Sequence, residues 1–126
     1  MTSQNELIDR YIAAWNEADS QRRKELIERT WTEDSTYLDP MVQGAGRGGI
    51  DAMIEAVQKP FAGLKFRRTS EVDAHHDRLR FAWELGPAEG PAVAGGVDFG
   101  VTRAGMLQKI TGFIDFAPKV AAREGQ

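Results

Sequence analysis

Asp98 is a charged residue in an otherwise apolar stretch of the chain. It lies in the segment AVAGGVDFGV (residues 92–101), which contains no other polar side chain. Burying an ionised carboxyl group is costly, so a buried aspartate either finds a partner or keeps its proton. A carboxylic acid that is neutral near pH 7 can donate a hydrogen bond, which gives it a chemical use. The alternative is a structural aspartate at a strand edge or bend, either solvated or bonded to the backbone.

The neighbours of Asp98 predict open volume in front of its carboxyl group. Side chains alternate between the two faces of a strand, so Asp98 shares its face with Ala94, Gly96 and Gly100. Small residues around one carboxyl group suit a cavity better than a packed core. The pattern therefore favours a pocket acid at position 98.

Two other polar residues are predicted to face apolar surfaces. Asp39 shares a strand face with Tyr37 and is followed directly by Pro40, which ends the strand. Tyr11 lies on the apolar stripe of the first helix, where a buried hydroxyl group needs a partner. Together with Asp98, these residues predict a polar cluster inside an apolar cup.

The elements that must position this cluster follow an α+β order. Ser3 and Glu6 form a capping box before the first helix. Asp19 is predicted to cap a second helix, whose basic residues are balanced by acids and indicate a solvated face. A glycine-rich loop, 44–49, precedes a third helix that ends near Pro60. Residues 36–39 predict a short strand before this loop, and the rest of the chain predicts an antiparallel meander with strands at 65–74, 78–85, 92–102 and 107–116.

Composition limits the classes of function. The 126 residues fit one domain, predicted over 1–120, with a frayed tail at 121–126. The net charge of −3, with both signs interspersed, gives no indication of nucleic-acid or membrane binding. The absence of cysteine excludes disulfides and thiolate chemistry. The polar N-terminus and the lack of a long apolar run predict a cytoplasmic protein.

Other sequence signals are weaker. Gly44, Gly46 and Gly49 match a G-x-G-x-x-G pattern but lack the βαβ context that dinucleotide binding requires, and they predict a turn at the pocket rim instead. His75 and His76 are adjacent, so they point in opposite directions and predict a surface turn rather than a metal site. Arg47 could contact an anionic group, but a solvated arginine is the expected state. We predict no metal and no cofactor.

These residues and elements resemble the nuclear transport factor 2-like (SnoaL-like) superfamily. In that fold a curved antiparallel sheet wraps around three N-terminal helices as a cone. Residues 8–16 (IDRYIAAWN), 37–40 (YLDP) and 95–99 (GGVDF) are similar to three segments of ketosteroid isomerase. The resemblance implies that Tyr11 and a neutral Asp98 form an oxyanion hole and that Asp39 is the general base. It thus implies an isomerase that moves a proton next to a carbonyl group.

The resemblance also implies an apolar pocket and a homodimer formed through the outer face of the sheet. The expected partner is a small apolar molecule with a carbonyl group. The residues predicted to line its pocket are Trp15, Trp31, Tyr37, Met53, Val57, Phe81, Trp83, Ile110 and Ile114.

Several alternatives stay open on the same fold. An epoxide hydrolase-like member would need an arginine where Gly96 stands, and a polyketide cyclase-like member would use an acid near the end of the sheet, where Asp115 is the candidate. A scytalone dehydratase-like member would need histidines in the pocket. A non-catalytic pocket that binds small apolar molecules would keep the cup but would not need both Asp39 and Asp98.

Overall fold

The computed structural model of the protein describes residues 3–118. Its helices are α1 (Gln4–Asn16), α2 (Ser20–Thr30) and α3 (Gly46–Gln58). Its strands are β1 (Trp31–Leu38), β2 (Gln43–Ala45), β3 (Lys65–Arg68), β4 (Asp73–His75), β5 (Arg78–Gly86), β6 (Ala94–Arg103) and β7 (Met106–Phe116). The predicted domain thus extends slightly beyond the described residues, and the predicted tail, 121–126, lies outside them.

The first two helices begin where the capping residues predict. The Ser3 hydroxyl accepts a hydrogen bond from the Glu6 amide at 3.0 Å, and the Ser3 amide donates to the Glu6 carboxylate at 3.1 Å. Asp19 caps α2 by accepting from the Arg22 amide at 2.9 Å. These bonds satisfy amide groups that have no partner within the helix.

The predicted solvated face of α2 is wrong at one residue. Arg23 is 1% exposed and its Nε donates to Asp51 Oδ1 at 2.6 Å, while a second nitrogen donates to Glu55 at 3.3 Å. The third nitrogen donates to the Glu17 carbonyl at 3.1 Å. A guanidinium group can be buried in this way because each of its three nitrogens meets an acceptor.

The sheet is mixed rather than fully antiparallel. Its strands follow the order β2-β1-β7-β6-β5-β3, and β4 pairs separately with β5. All neighbours are antiparallel except β1 and β7, which run parallel with Tyr37 opposite Ile110 and Leu38 opposite Thr111. The predicted curved sheet around three helices is therefore confirmed, and its all-antiparallel pairing is corrected at this one pair.

Three predicted segments have different boundaries in the structure. Strand β1 begins at Trp31, directly after α2, rather than at residue 36. The predicted strand at 65–74 is divided into β3 and β4. The predicted glycine-rich loop instead forms β2 and the first turn of α3, because Gly44 pairs with Tyr37 in the sheet.

The two faces of the sheet differ in burial. On the inner face of β5, Leu79, Phe81 and Leu85 are buried, which confirms the predicted alternation. On the outer face, Phe99 and Phe113 are exposed and their rings lie 5.7 Å apart. The homodimer through this face stays a prediction. Of the helices in residues 3–118, none has the length and apolar character needed to cross a membrane.

Candidate functional site

Three neighbouring strands place Asp39 and Asp98 on either side of Gly112. Asp98 on β6 is directly opposite Gly112 on β7. Asp39 follows Leu38, whose parallel partner on β7 is Thr111, so Asp39 reaches the other side of Gly112. A Cβ atom at position 112 would lie 2.8 Å from Asp98 Oδ1 and 3.1 Å from Asp39 Cβ. Glycine therefore leaves the space between the two carboxyl groups open.

Both oxygens of Asp98 accept hydrogen bonds from neutral donors. The Tyr11 hydroxyl donates to Oδ2 at 2.7 Å, and Trp83 Nε1 donates to Oδ1 at 3.0 Å. The Trp83 ring reaches Asp98 by crossing Gly96, where a Cβ atom would lie 3.0 Å from Trp83 Cζ2 and 2.0 Å from the Phe113 carbonyl oxygen. A side chain at position 96 would therefore displace the indole group that holds Asp98.

The environment of Asp98 favours its neutral form. Asp98 is 3% exposed, and burial raises its pKa to about 7. The hydrogen bonds from Tyr11 and Trp83 oppose this rise, while the negative charge of Asp39 adds to it. A group with this pKa exchanges its proton near neutral pH, so it can act as a hydrogen-bond donor there.

Tyr11 is held in place by aromatic rings. It is 2% exposed, and its ring lies 5.6 Å from those of Trp31 and Phe81. Burial, and then the charge of Asp98, raise the pKa of Tyr11 well above its usual value. Tyr11 therefore keeps its proton and acts as a donor.

Asp39 is oriented by donors on both carboxylate oxygens. Its Oδ1 accepts from the amides of Met41 at 2.7 Å and Val42 at 2.9 Å, which form a turn after β1. Its Oδ2 accepts from the Tyr37 hydroxyl at 2.5 Å. Asp39 is half-buried, in contrast to Asp98. The two carboxyl groups thus face the same space from different environments.

This space is a cavity of about 270 Å³ with an almost entirely apolar wall. Tyr11, Asp39 and Asp98 all lie on the wall, which has no Lys, Arg or His among its described residues. Five of the predicted lining residues also lie there: Trp15, Tyr37, Val57, Trp83 and Ile114.

The remaining wall residues were not predicted, although the sequence pattern could have identified some of them. Leu85 shares a strand face with Trp83, and Ala94 shares one with Asp98, so the alternation along β5 and β6 could have found both. The others come from loops, short strands and helix faces, whose approach to the cavity depends on the tertiary fold. They are Ile12, Met41, Val42, Ala56, Pro60, Phe61, Phe66, Ala117 and Pro118.

Four predicted lining residues instead belong to the core behind the wall. These are Trp31, Met53, Phe81 and Ile110, which are 0%, 6%, 2% and 1% exposed. They point toward the inside of the fold, as predicted, but they do not reach the cavity surface. On β7, for example, Ile114 lines the cavity while Ile110, four residues earlier, packs in the core.

The weaker candidates lie away from the cavity. Arg47 donates to the carbonyl groups of Trp31 and Glu28, so it binds the C-terminal end of α2 rather than solvent or a ligand. His75 and His76 are both exposed, and Asp115 is exposed on β7. Within residues 3–118, no group of three His, Asp or Glu side chains is arranged to hold a metal ion.

The fold and cavity define a nuclear transport factor 2-like domain, and solved structures agree. The chain is 40% identical to an isomerase candidate of the SnoaL-like family from Agrobacterium tumefaciens, covering 86% of this chain and 94% of that one, with a TM-score of 0.82. A candidate polyketide cyclase from Sinorhizobium meliloti is 16% identical, with a TM-score of 0.65 and coverage of 84% and 92%. A candidate ketosteroid isomerase from Kribbella flavida is 20% identical, with a TM-score of 0.65 and coverage of 90% and 78%.

The chain belongs to the SnoaL-like family, because its identity to the Agrobacterium protein extends over most of both chains. The two more distant structures support the fold alone. No family model matches the chain. No curated protein matches it either.

Proposed function

We propose that the protein is an isomerase-like enzyme that moves a proton next to the carbonyl group of a small apolar molecule. The observation that carries this proposal is the pair of carboxyl groups on one apolar wall. Asp98 is buried and has a raised pKa, whereas Asp39 is half-buried and held by backbone amides. Two carboxyl groups in different environments can divide the roles of acid and base.

The proposed reaction uses both groups. The Asp39 carboxylate takes a proton from the carbon next to the carbonyl group, and the electron pair of that bond moves onto the carbonyl oxygen. Protonated Asp98 donates a hydrogen bond to this oxygen as its negative charge develops. Tyr11 donates a second one by turning its proton from Asp98 Oδ2 to the ligand oxygen. Return of the proton from Asp39 to a different carbon completes the isomerisation.

The test is exchange of α-protons for deuterium in an apolar enone, followed by nuclear magnetic resonance. Asp39→Asn keeps the shape of the side chain but removes the base, so we expect exchange to slow by about 10²–10⁴-fold. Asp115→Asn is the matched control, since Asp115 is exposed on β7 outside the cavity wall. Equal rates for wild type and Asp39→Asn would reject the proposal. Loss of activity only in Asp115→Asn would favour a cyclase-like site.

A non-catalytic pocket for apolar molecules is the second candidate. It is favoured by the apolar wall, and by the fact that both Asp98 oxygens already have donors within the protein. In that case an apolar fluorescent dye would bind to wild type and Asp39→Asn with equal affinity, and neither protein would catalyse exchange.

A further inference from the structure

The hydroxyl group of Tyr37 contacts Asp39 and faces the open space in front of Asp98. It donates to Asp39 Oδ2 at 2.5 Å. The point that a Cβ atom at position 112 would occupy is 3.2 Å from this hydroxyl oxygen and 2.8 Å from Asp98 Oδ1. The Tyr37 hydroxyl group and Asp98 therefore border the same open space above Gly112.

Tyr37 is a fixed donor with a single proton to give. The residue is 5% exposed, and its ring packs against Trp15 with the centroids 5.5 Å apart. Burial, and the charges of Asp98 and Asp39, raise the pKa of Tyr37, so the hydroxyl group stays protonated. A phenol donates only one hydrogen bond at a time. Rotation of the hydroxyl proton decides which acceptor receives it.

Asp39 does not depend on Tyr37 alone for its orientation. The amides of Met41 and Val42 both donate to Oδ1, and the Asp39 amide donates to the Val42 carbonyl oxygen at 3.0 Å. This turn holds the carboxylate through Oδ1, whereas Tyr37 contacts Oδ2. The tyrosine is thus available for a role other than holding the base.

We propose that Tyr37 is a switching donor, which bonds to Asp39 while that group is a carboxylate and turns to the ligand oxygen once Asp39 has taken the proton. The inference rests on the function proposed above. In this step the C–H bond breaks, an O–H bond forms on Asp39, and the electron pair moves to the carbonyl oxygen. The O–H bond of Tyr37 stays intact, and only its acceptor changes.

The physical reason is the change in acceptor strength. A protonated carboxyl group is a weaker acceptor than a carboxylate, while the ligand oxygen has just become an anion. Hydrogen bonds to ionised groups are roughly twice as strong as those between neutral groups. The switch therefore exchanges the bond to the Asp39 carboxylate for a bond to the ligand oxygen, so Tyr37 donates to an anion both before and after proton transfer. A donor fixed on Asp39 would stabilise only the starting carboxylate and would raise the barrier.

A double-mutant cycle tests the switch. Asp39→Asn represents the protonated base, and pentafluorophenolate, a planar oxyanion, represents the intermediate. In buffer below the pKa of Asp98 but above that of pentafluorophenol, so that Asp98 is protonated and the probe is an anion, we expect Tyr37→Phe to weaken pentafluorophenolate binding about tenfold in the Asp39→Asn background. In the presence of native Asp39, the same substitution should change the affinity by less than about twofold, because the Tyr37 proton is then engaged. Titration calorimetry gives both affinities.

Three controls separate the possible outcomes. Tyr11→Phe removes a donor that does not contact Asp39, so it should weaken binding similarly in both backgrounds. Hexafluorobenzene, which has no oxygen, should bind equally to all variants if they are folded. If Tyr37→Phe does not fold, 3-fluorotyrosine at position 37 replaces it. This more acidic donor should tighten pentafluorophenolate binding in the Asp39→Asn background.

The inference and the proposed function can fail separately. Equal effects of Tyr37→Phe in both backgrounds would overturn the switch, while slow α-proton exchange in Asp39→Asn would still support the isomerase. Equal exchange in wild type and Asp39→Asn would reject both. A loss of affinity confined to the Asp39→Asn background would support the switch over a merely structural role, because a tyrosine that only positions Asp39 would matter most when native Asp39 is present.

Discussion

Arg23 and Asp98 are both buried charged residues, but their surroundings are opposite. Arg23 is 1% exposed and has two carboxylate partners, Asp51 and Glu55. Asp98 is 3% exposed, and its hydrogen-bond partners are a phenol and an indole. The first residue has its charge balanced within the fold. The second has no cation beside it on the cavity wall.

The comparison shows that a buried charged residue can be structural or functional, depending on whether an opposite charge lies beside it. A buried ion pair in which each guanidinium nitrogen has an acceptor joins two elements, here α2 and α3. Its charge is already balanced within the protein, so it does not need a ligand. A buried acid without a counter-charge has a raised pKa instead, and it changes its protonation state near neutral pH. The second arrangement favours a functional site, the first a structural one.

The largest expected effect is the loss of stability when the buried ion pair of Arg23 is broken. Arg23→Met removes the cation but leaves Asp51, whose side chain is only 14% exposed, without its partner. We expect the free energy of unfolding to fall by about 3–5 kcal/mol, measured by urea denaturation. Arg22→Met on the same helix is the control, since Arg22 is exposed and should change stability by less than about 0.5 kcal/mol. Similar losses for the two variants would remove the contrast with Asp98.

The next effect concerns the pH dependence of stability. The pKa of Asp98 is about 7 in the folded protein and about 3.9 in an unfolded chain. The folded state therefore binds the extra proton between these values, and the stability contributed by protonated Asp98 is full below about pH 4 and lost as the pH rises to 7. Relative to Asp98→Asn, wild type should lose up to about 4 kcal/mol over this range.

This measurement has an internal control of opposite sign. The pKa of Asp34 is lowered, first by the Thr32 hydroxyl group and then by Arg103. The stability contributed by ionised Asp34 is present above its unfolded pKa and is lost as the pH falls, so Asp34→Asn should change the curve in the other direction. If the stability of wild type and Asp98→Asn varied in parallel with pH, Asp98 would not carry a raised pKa.

The sequence could predict which side of each element faces inward, but not how deep a residue lies. Alternation along β5 correctly predicted the buried side of Phe81 and Trp83. Phe81 nevertheless packs in the core, while Trp83, two residues nearer the strand end, lines the cavity. Whether a residue lies in the core or on the cavity wall depends on where the helices pack against the curved sheet. That position is a tertiary property which periodicity does not encode.

Arg23 was missed although its spacing carried a signal. The buried residues of α2 are Arg23, Ile27 and Thr30, which recur at i, i+4 and i+7. An arginine on the apolar stripe of a helix predicts a buried guanidinium group with acidic partners, whereas charge balance alone predicts a solvated face. The acids that bind it are 28 and 32 positions away, so the sequence did not identify them.

The parallel pairing of β1 with β7 could not be predicted from local pattern either. Leu38 and Thr111 are far apart in sequence, and nothing in the strand residues specifies the direction of the partner. This pairing nevertheless brings Asp39 to Gly112 and Asp98. The residue types thus predicted a polar cluster, while the arrangement of Asp39 and Asp98 on either side of Gly112 depends on the sheet topology.

The smallest of the three effects concerns the space between the carboxyl groups. At Gly112 an added Cβ atom would lie 2.8 Å from Asp98 Oδ1 and 3.2 Å from the Tyr37 hydroxyl oxygen, so at least one side chain must move. We expect Gly112→Ala to lower the free energy of unfolding by about 1–3 kcal/mol through overpacking. It should also reduce α-proton exchange, because Asp39 and Asp98 would no longer share an open space.

Gly48→Ala on α3 is the matched control. No atom lies within 4 Å of its added Cβ, so the change should leave exchange unaltered and stabilise the helix by about 0.5–1 kcal/mol. If Gly112→Ala had normal exchange and normal stability, the open space between Asp39 and Asp98 would have no role. Asp98 would then resemble Arg23, a buried charged residue without a part in a ligand site.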